Sequence, residues 1–483
     1  SPPHGLVTPL KPFIPCLARR FRMSTPLPWK PILVACLAIS CQAYAVLNIL
    51  PYIGYQVVFM NEGAGASSES LDGAGRYAGP LTAAAMLGRL TTALPWGFAS
   101  RSRGPRSLVL LQLCAMCVLQ PLYGIVNDVP VAGVVRYLLG CLMAVNICVN
   151  SWTASLEDPV HRQTTLSYMT GSWTVGATLA PALGGFLAEP ASKYSVFRNS
   201  DTFIRYPYLL PGLVGSGQAF ITAVLCLLWL PERKRQDTSK EELQAAPSGV
   251  TELREVSAVG SVASALSPVN MAGIGGRRSK LPWQGDEEEE PDGLKRDSAM
   301  VEIWRVGCQM VSTRDGRINV FAFIIVSIVW MTFEEAASLV SIATLDAGGF
   351  GWNEKRTGLL LSAWGLSGGL WQFLVLPKAM ARWGPNRVQL AVCLVALPAV
   401  VTLPATPFIS AQVGPGLGFA SATFVGAIVS ICVNTVTTTL MLHLFGASDD
   451  LGVVSGYMFF INSGFIALGS FLGGYLSSFA LEG

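Results

Sequence analysis

Four charged side chains and three amides stand inside stretches of the chain that are otherwise apolar: Arg89, Arg136, Glu334 and Glu335, with Gln42, Asn48 and Asn434. Where such a stretch crosses a membrane, a charge at mid-depth costs at least about 2.5–3.5 kcal/mol, so a functional role is its default explanation. The chemistry open to these groups is limited. A carboxyl group can carry a proton and a guanidinium can hold an anion in its planar fork of donors. An amide can hydrogen-bond a polar solute or tie two helices together, and for the three amides both readings stay open. Glu334 and Glu335 lie about 100° apart around a helix, so at most one points squarely into a central cavity. The alternative for the pair is a helix end facing water. Arg136 shares a face with the small residues Gly140 and Ala144, a stripe suited to close helix packing. Arg89 is either a brace for the basic loop that follows it or a charge at work inside the membrane. His443 reads as a helix-end residue rather than a proton carrier. No nucleophile–base pair and no cluster with metal-ligand spacing is present, so neither an enzyme, a metal site nor a cofactor is expected.

The elements that must position these groups are apolar helices. Of 483 residues 51% are hydrophobic and only 13% charged, against roughly 25% charged in soluble domains. The formal net charge of +3 is too small to suggest nucleic acid. The eleven cysteines lie mostly in apolar runs and read as packing residues, the Cys114/Cys117 pair included. A hydrocarbon core about 30 Å thick takes roughly 20 helical residues to cross. Candidate crossings are 31–58, 77–99, 107–127, 131–155, 166–188, 208–230, 318–344, 356–377, 388–406, 416–445 and 451–478, eleven in all. They are continuous rather than alternating, which favours helices over barrel strands. The first is too long and too deep for a signal peptide, and residues 1–22, ahead of Met23, read as an extension.

Between the sixth and seventh runs lies a segment of different character, 231–317, with "PERKRQ", a Ser/Ala/Gly-rich stretch and the acidic run Glu287 to Glu290. It reads as a largely disordered linker. Its end, "VEIWRVGCQMV", suits either a helix on the membrane surface or a plain linker turn. On either side of it the chain repeats itself. "SRSRGPRSLVLL" follows the second run and "MARWGPNRVQLA" the eighth, while "YMTGSWTVGATLAPALGGFL" in the fifth parallels "YMFFINSGFIALGSFLGGYL" in the eleventh. Two landmarks in the same order argue for an internal duplication. Counting alternate loops, Arg101, Arg103, Arg106, Arg162, Arg233, Lys234, Arg235, Lys378, Arg382 and Arg387 fall on one side with the basic N-terminal segment 1–30. That side is read as cytoplasmic.

"WGFASRSRGPRS" resembles the loop signature of the major facilitator superfamily, "RYLLGCLMA" its fourth-helix arginine motif, and "GATLAPALGG" its fifth-helix antiporter motif, with Ala180 at one glycine position. Within it, "GGFLAEPASKYSVF", "RYPYLLPGLV" and "FEEAASL" followed by "GGFGW" look like the zinc-induced facilitator-like and tetracycline-exporter-like branch. The resemblance runs from about residue 40 to 478 without the middle loop. It implies an all-α, two-bundle membrane protein: an N-terminal six-helix bundle over 31–230 and a C-terminal bundle over 318–483. It implies a substrate cavity with Arg136, Gln42, Asn48 and Asn434. It also implies gating and conformational motifs at Arg89, Gly97, Arg101, Gly104, Arg106, Gly176, Pro181, Gly184, Gly185 and Gly384. Arg101 stands where the family carries an acidic residue and Pro105 where it carries arginine, so the usual charge relay of the loop is not available. Gln42 stands where relatives commonly carry Glu and cannot titrate. A proton carrier therefore falls to Glu335 first and Glu334 second, in the "FEE" that resembles the family's acidic pair. Only three histidines are present, and nothing in the chain supports zinc as the substrate.

The reading is a multi-pass transporter of small organic molecules, with N-terminus cytoplasmic, in the vacuolar or plasma membrane. It is expected to work by alternating access as a monomer in the lipid bilayer, exchanging substrate for protons. Rival readings are a proton-independent facilitator and a non-transporting, receptor-like or decayed paralogue. Because the eleventh helix matches the fifth, which a sixth follows, a twelfth helix beyond Gly483 is expected.

Overall fold

The computed structural model of the chain describes residues 27–62, 71–154, 156, 159–231, 307–308, 311–402, 405–445 and 451–481. All eleven apolar runs prove helical. The helices are α1 (Trp29–Leu47), α2 (Ile53–Glu62), α3 (Gly75–Ser102), α4 (Pro105–Ile125), α5 (Val129–Cys141), α6 (Val145–Ala154), α7 (Pro159–Leu187) and α8 (Leu209–Trp229). After the central segment come α9 (Arg314–Ile342), α10 (Glu354–Leu370), α11 (Leu376–Trp383), α12 (Pro385–Thr402), α13 (Pro415–Phe445) and α14 (Leu451–Leu481). A single π-helical turn, Trp371–Val375, joins α10 to α11. Most of segments 1–30 and 231–317, "VEIWRVGCQMV" among them, lies outside the described residues.

Two expected runs are broken. The first stops at Asn48–Tyr52, where Pro51 offers no backbone N–H and disfavours helix at Leu50. The fourth opens at Leu142–Ala144, between α5 and α6. The eleven runs are also not equivalent. Nine described helical stretches are long and apolar enough to cross a membrane. Helices α3 and α7 have the length, at 28 and 29 residues, but are less apolar, α3 with Arg76, Arg89 and Arg101 and α7 with His161, Arg162 and Gln163. Both lie against a helix of the other part: α3 along α14, and α7 along α10. Helices that face protein more than lipid can use small residues to approach closely.

Those two seams obey the repeat seen in the sequence. Gly184 of α7 packs on the Asn48 carbonyl and Gly185 on the Glu354 carbonyl; Gly473 of α14 packs on Thr332 and Gly474 on Gly75. Each pair thus touches first the opening run of its own part and then the start of the second run of the other. Likewise Gly358 of α10 lies on the Pro181 carbonyl and Gly79 of α3 on the Ser470 carbonyl. A side chain at any of these glycines would push a seam apart. The corners repeat as well. Gly104 has φ 79°, ψ 147°, Gly384 has φ 82°, ψ 154°, and a proline opens the next helix after each. That backbone region is essentially open only to glycine.

Candidate functional site

Glu335 sits at the meeting of three helices. It projects from α9, is fully buried, and packs its Cβ against Gly473 of α14. Its Oε1 accepts a hydrogen bond of 3.2 Å from Thr82 Oγ1 on α3, while Oε2 has no hydrogen-bonding partner. The carboxyl group therefore touches helices from both sides of the central segment. Glu334 is only partly buried and its Oε2 is likewise unpartnered.

Arg136 is buried in α5, with its Nη1 donating to the Ala45 carbonyl at 3.2 Å and its guanidinium 5.6 Å from the centre of the Tyr123 ring. Asn48 lines the same small cavity. Arg136 and Glu335 lie within reach of each other's charge, yet Arg136 Nε and Nη2 make no hydrogen bond. The structure thus gathers Glu335, Arg136 and Asn48 into one region of the interior.

The other polar candidates do different work here. Gln42 is spent on the helix break: its Oε1 accepts from Asn146 N at 3.2 Å and its Nε2 donates to Met143 O at 3.5 Å. Gln112 completes that repair by accepting from Ala144 N at 3.2 Å. Buried backbone groups freed by a break need partners, and two amides provide them. Asn434, half-buried on α13, donates to Ser430 O of its own helix at 2.9 Å and faces Gly368 of α10. Arg89 does not brace the loop after α3. It crosses the seam to α14, donating to Ser463 Oγ at 2.6 Å and Asn462 Oδ1 at 2.9 Å over the ring of Phe459.

Among the motif residues, Gly97 meets Gly456 across the same seam and Gly176 lies on Ser40 and Ala43 of α1. Arg106 donates to Leu227 O at 2.6 Å, which caps the end of α8. The Arg101 side chain lies outside the described residues. His443 does sit in the last turn of its helix.

Several contacts between the two parts went unread in the sequence, because their members lie far apart along the chain. Lys193 pairs with Glu354, Asp72 accepts from Thr344 N at 3.0 Å, and the Tyr55 hydroxyl donates to Trp352 O at 2.8 Å. Ser338 Oγ donates to Leu50 O nearby. All four sit at the end of the molecule carrying the turns at 48–52 and 343–353. That end is latched shut.

A family model described as Major Facilitator Superfamily matches residues 32–473. The chain belongs to this superfamily. Among curated proteins, this chain is similar to a probable peptide/nitrate transporter of Arabidopsis thaliana, at 30% identity over 193 residues, 40% of this chain and 39% of that one. It is also similar to Protein ZINC INDUCED FACILITATOR 1 of the same plant, at 30% identity over 188 residues, 39% of this chain and 37% of that one. The chain spans about two fifths of the length of these relatives. Its fold is that of the xylose transporter XylE from E. coli in a partially occluded inward open conformation: TM-score 0.54, 14% identity, 94% of this chain and 98% of that one. The chain is an all-α, multi-pass membrane protein of this superfamily.

Proposed function

We propose that this protein exports a small organic molecule, such as a metal chelate, organic ion or drug-like compound, in exchange for protons. Residues 31–230 and 318–483 act as two bodies that rock against each other about the α3–α14 and α7–α10 seams. The N-terminus lies in the cytoplasm, on the side of the basic loops.

The observation that carries this reading is Glu335, buried with one oxygen bonded to Thr82 of the other body and one oxygen free. A carboxylate stripped of water is costly unless it is paired. The group therefore crosses the occluded state with a proton on it and loses the proton where water reaches it. Rocking the bodies breaks and remakes the Thr82 bond, which couples the proton to the motion.

The test is flux in proteoliposomes with and without a pH gradient. Gradient-driven accumulation supports exchange. Equal downhill flux in both conditions points to a facilitator without protons, and no flux with any compound of the screen to a receptor-like protein.

A further inference from the structure

We infer that the N-terminal body holds a monatomic anion of the chloride class beside Arg136. This goes beyond the transport reading and does not depend on it. The cavity that Arg136 faces is lined by Ala45, Asn48 and Tyr52 from α1 and its break, by Gln120 and Tyr123 from α4, and by Tyr208 and Gly212 at the start of α8. Every lining residue precedes the central segment, so the walls of the cavity come from one body. Its volume is about 10 Å³. Organic ligands occupy pockets of roughly 300–1,000 Å³, whereas about 10–15 Å³ accommodates a single water-sized particle. An organic substrate does not fit.

The walls ask for negative charge. Arg136 has a fixed positive charge, is buried, and uses only Nη1 in hydrogen bonding. Its Nε and Nη2, the Tyr123 hydroxyl and the Gln120 Nε2 and Oε1 are all buried without partners. Four of these five atoms can donate. Buried polar groups are partnered in the great majority of cases, and each exception needs an explanation. A buried cation with no anion bonded to it is a costly exception of this kind. The titratable groups around Arg136 are Tyr123, Tyr52 and Glu335, and the two tyrosines are weak acids. Glu335 acts on Arg136 only through space. One small anion would satisfy the guanidinium, the hydroxyl and the amide N–H together. Water would satisfy the hydrogen bonds and leave the charge.

Thermal unfolding of the full chain in detergent tests this, with sodium chloride replacing sodium gluconate at constant ionic strength. The melting temperature of the wild type should rise with chloride and saturate, as mass action requires for a ligand of the folded state. Tyr123→Phe and Gln120→Leu each remove one donor to the anion and should raise the half-saturating chloride concentration about tenfold or more. Gln120→Glu supplies a tethered carboxylate, so its melting temperature should be indifferent to chloride. Radioactive chloride should bind the wild type at one per molecule, which keeps the test alive if a variant fails to fold. Identical melting in chloride and gluconate, or an unchanged half-saturation in both donor variants, overturns the anion site and leaves water there.

Discussion

Lys193 Nζ lies 3.0 Å from Glu354 Oε2, an ion pair between the turn after α7 and the first residue of α10. The same ammonium donates to Ala188 O at 2.8 Å and Gly185 O at 3.2 Å, so it also caps the end of α7. Both helix ends favour the charge placed on them: a cation at a C-terminus and an anion at an N-terminus. Lys193→Ala strips the buried Glu354 carboxylate of its cation and should loosen the latched end. In a Ser338→Cys background, labelling by a membrane-impermeant maleimide should speed up several-fold. Unchanged labelling would mean that the pair does not hold the bodies together.

Glu335 and Glu334 should separate in function. Glu335→Gln keeps the size and the hydrogen bond to Thr82 but cannot release a proton. It should abolish uphill transport while substrate binding stays measurable with a flattened pH dependence. Glu334→Gln should be milder, since that side chain is less buried and binds nothing on the other body. If both variants retain full gradient-driven transport, proton exchange through this pair is wrong.

Arg89 should be a stability residue of the α3–α14 seam. Arg89→Ala removes two charge-assisted hydrogen bonds and should destabilise the fold by about 1.5–3 kcal/mol. Arg89→Lys, which keeps the charge and loses the fork, should fall between. Chemical unfolding in detergent measures both. A loss below about 0.5 kcal/mol, within the range of ordinary surface substitutions, would show that the bridging contacts carry little.

The two glycine corners make a cleaner stability test. A Cβ on Gly384 would meet no atom within 4 Å, so Gly384→Ala isolates the backbone penalty. That penalty should be about 1–3 kcal/mol. Gly217 of α8 also has open space around it, but its φ is not positive. Gly217→Ala should be neutral or stabilise by about 0.5–1 kcal/mol. Equal unfolding midpoints for the two variants would contradict the corner geometry.

Much of this protein was legible from local covalent and hydropathic signals. Run length and continuity settled the helices, and the paired "GPR" and "GPN" corners and "LGG" landmarks foretold the repeat that the seams obey. These are properties of neighbours along the chain, so a sequence displays them. Partnership is not such a property. Gln42 looked like a cavity amide until Met143 and Asn146, about a hundred positions away, claimed both its ends. Arg89 reads from the sequence either as a brace for its own loop or as a charge at work inside the membrane, and it reaches across to Asn462 and Ser463 on α14. Lys193 and Glu354 gave no signal at all, being separated by 161 positions. Only the packing of helix on helix decides which buried polar atoms meet and which, like those around Arg136, are left for something else. Burial and hydrogen bonding are set by atoms contributed from other helices, and those atoms come together only when the helices pack.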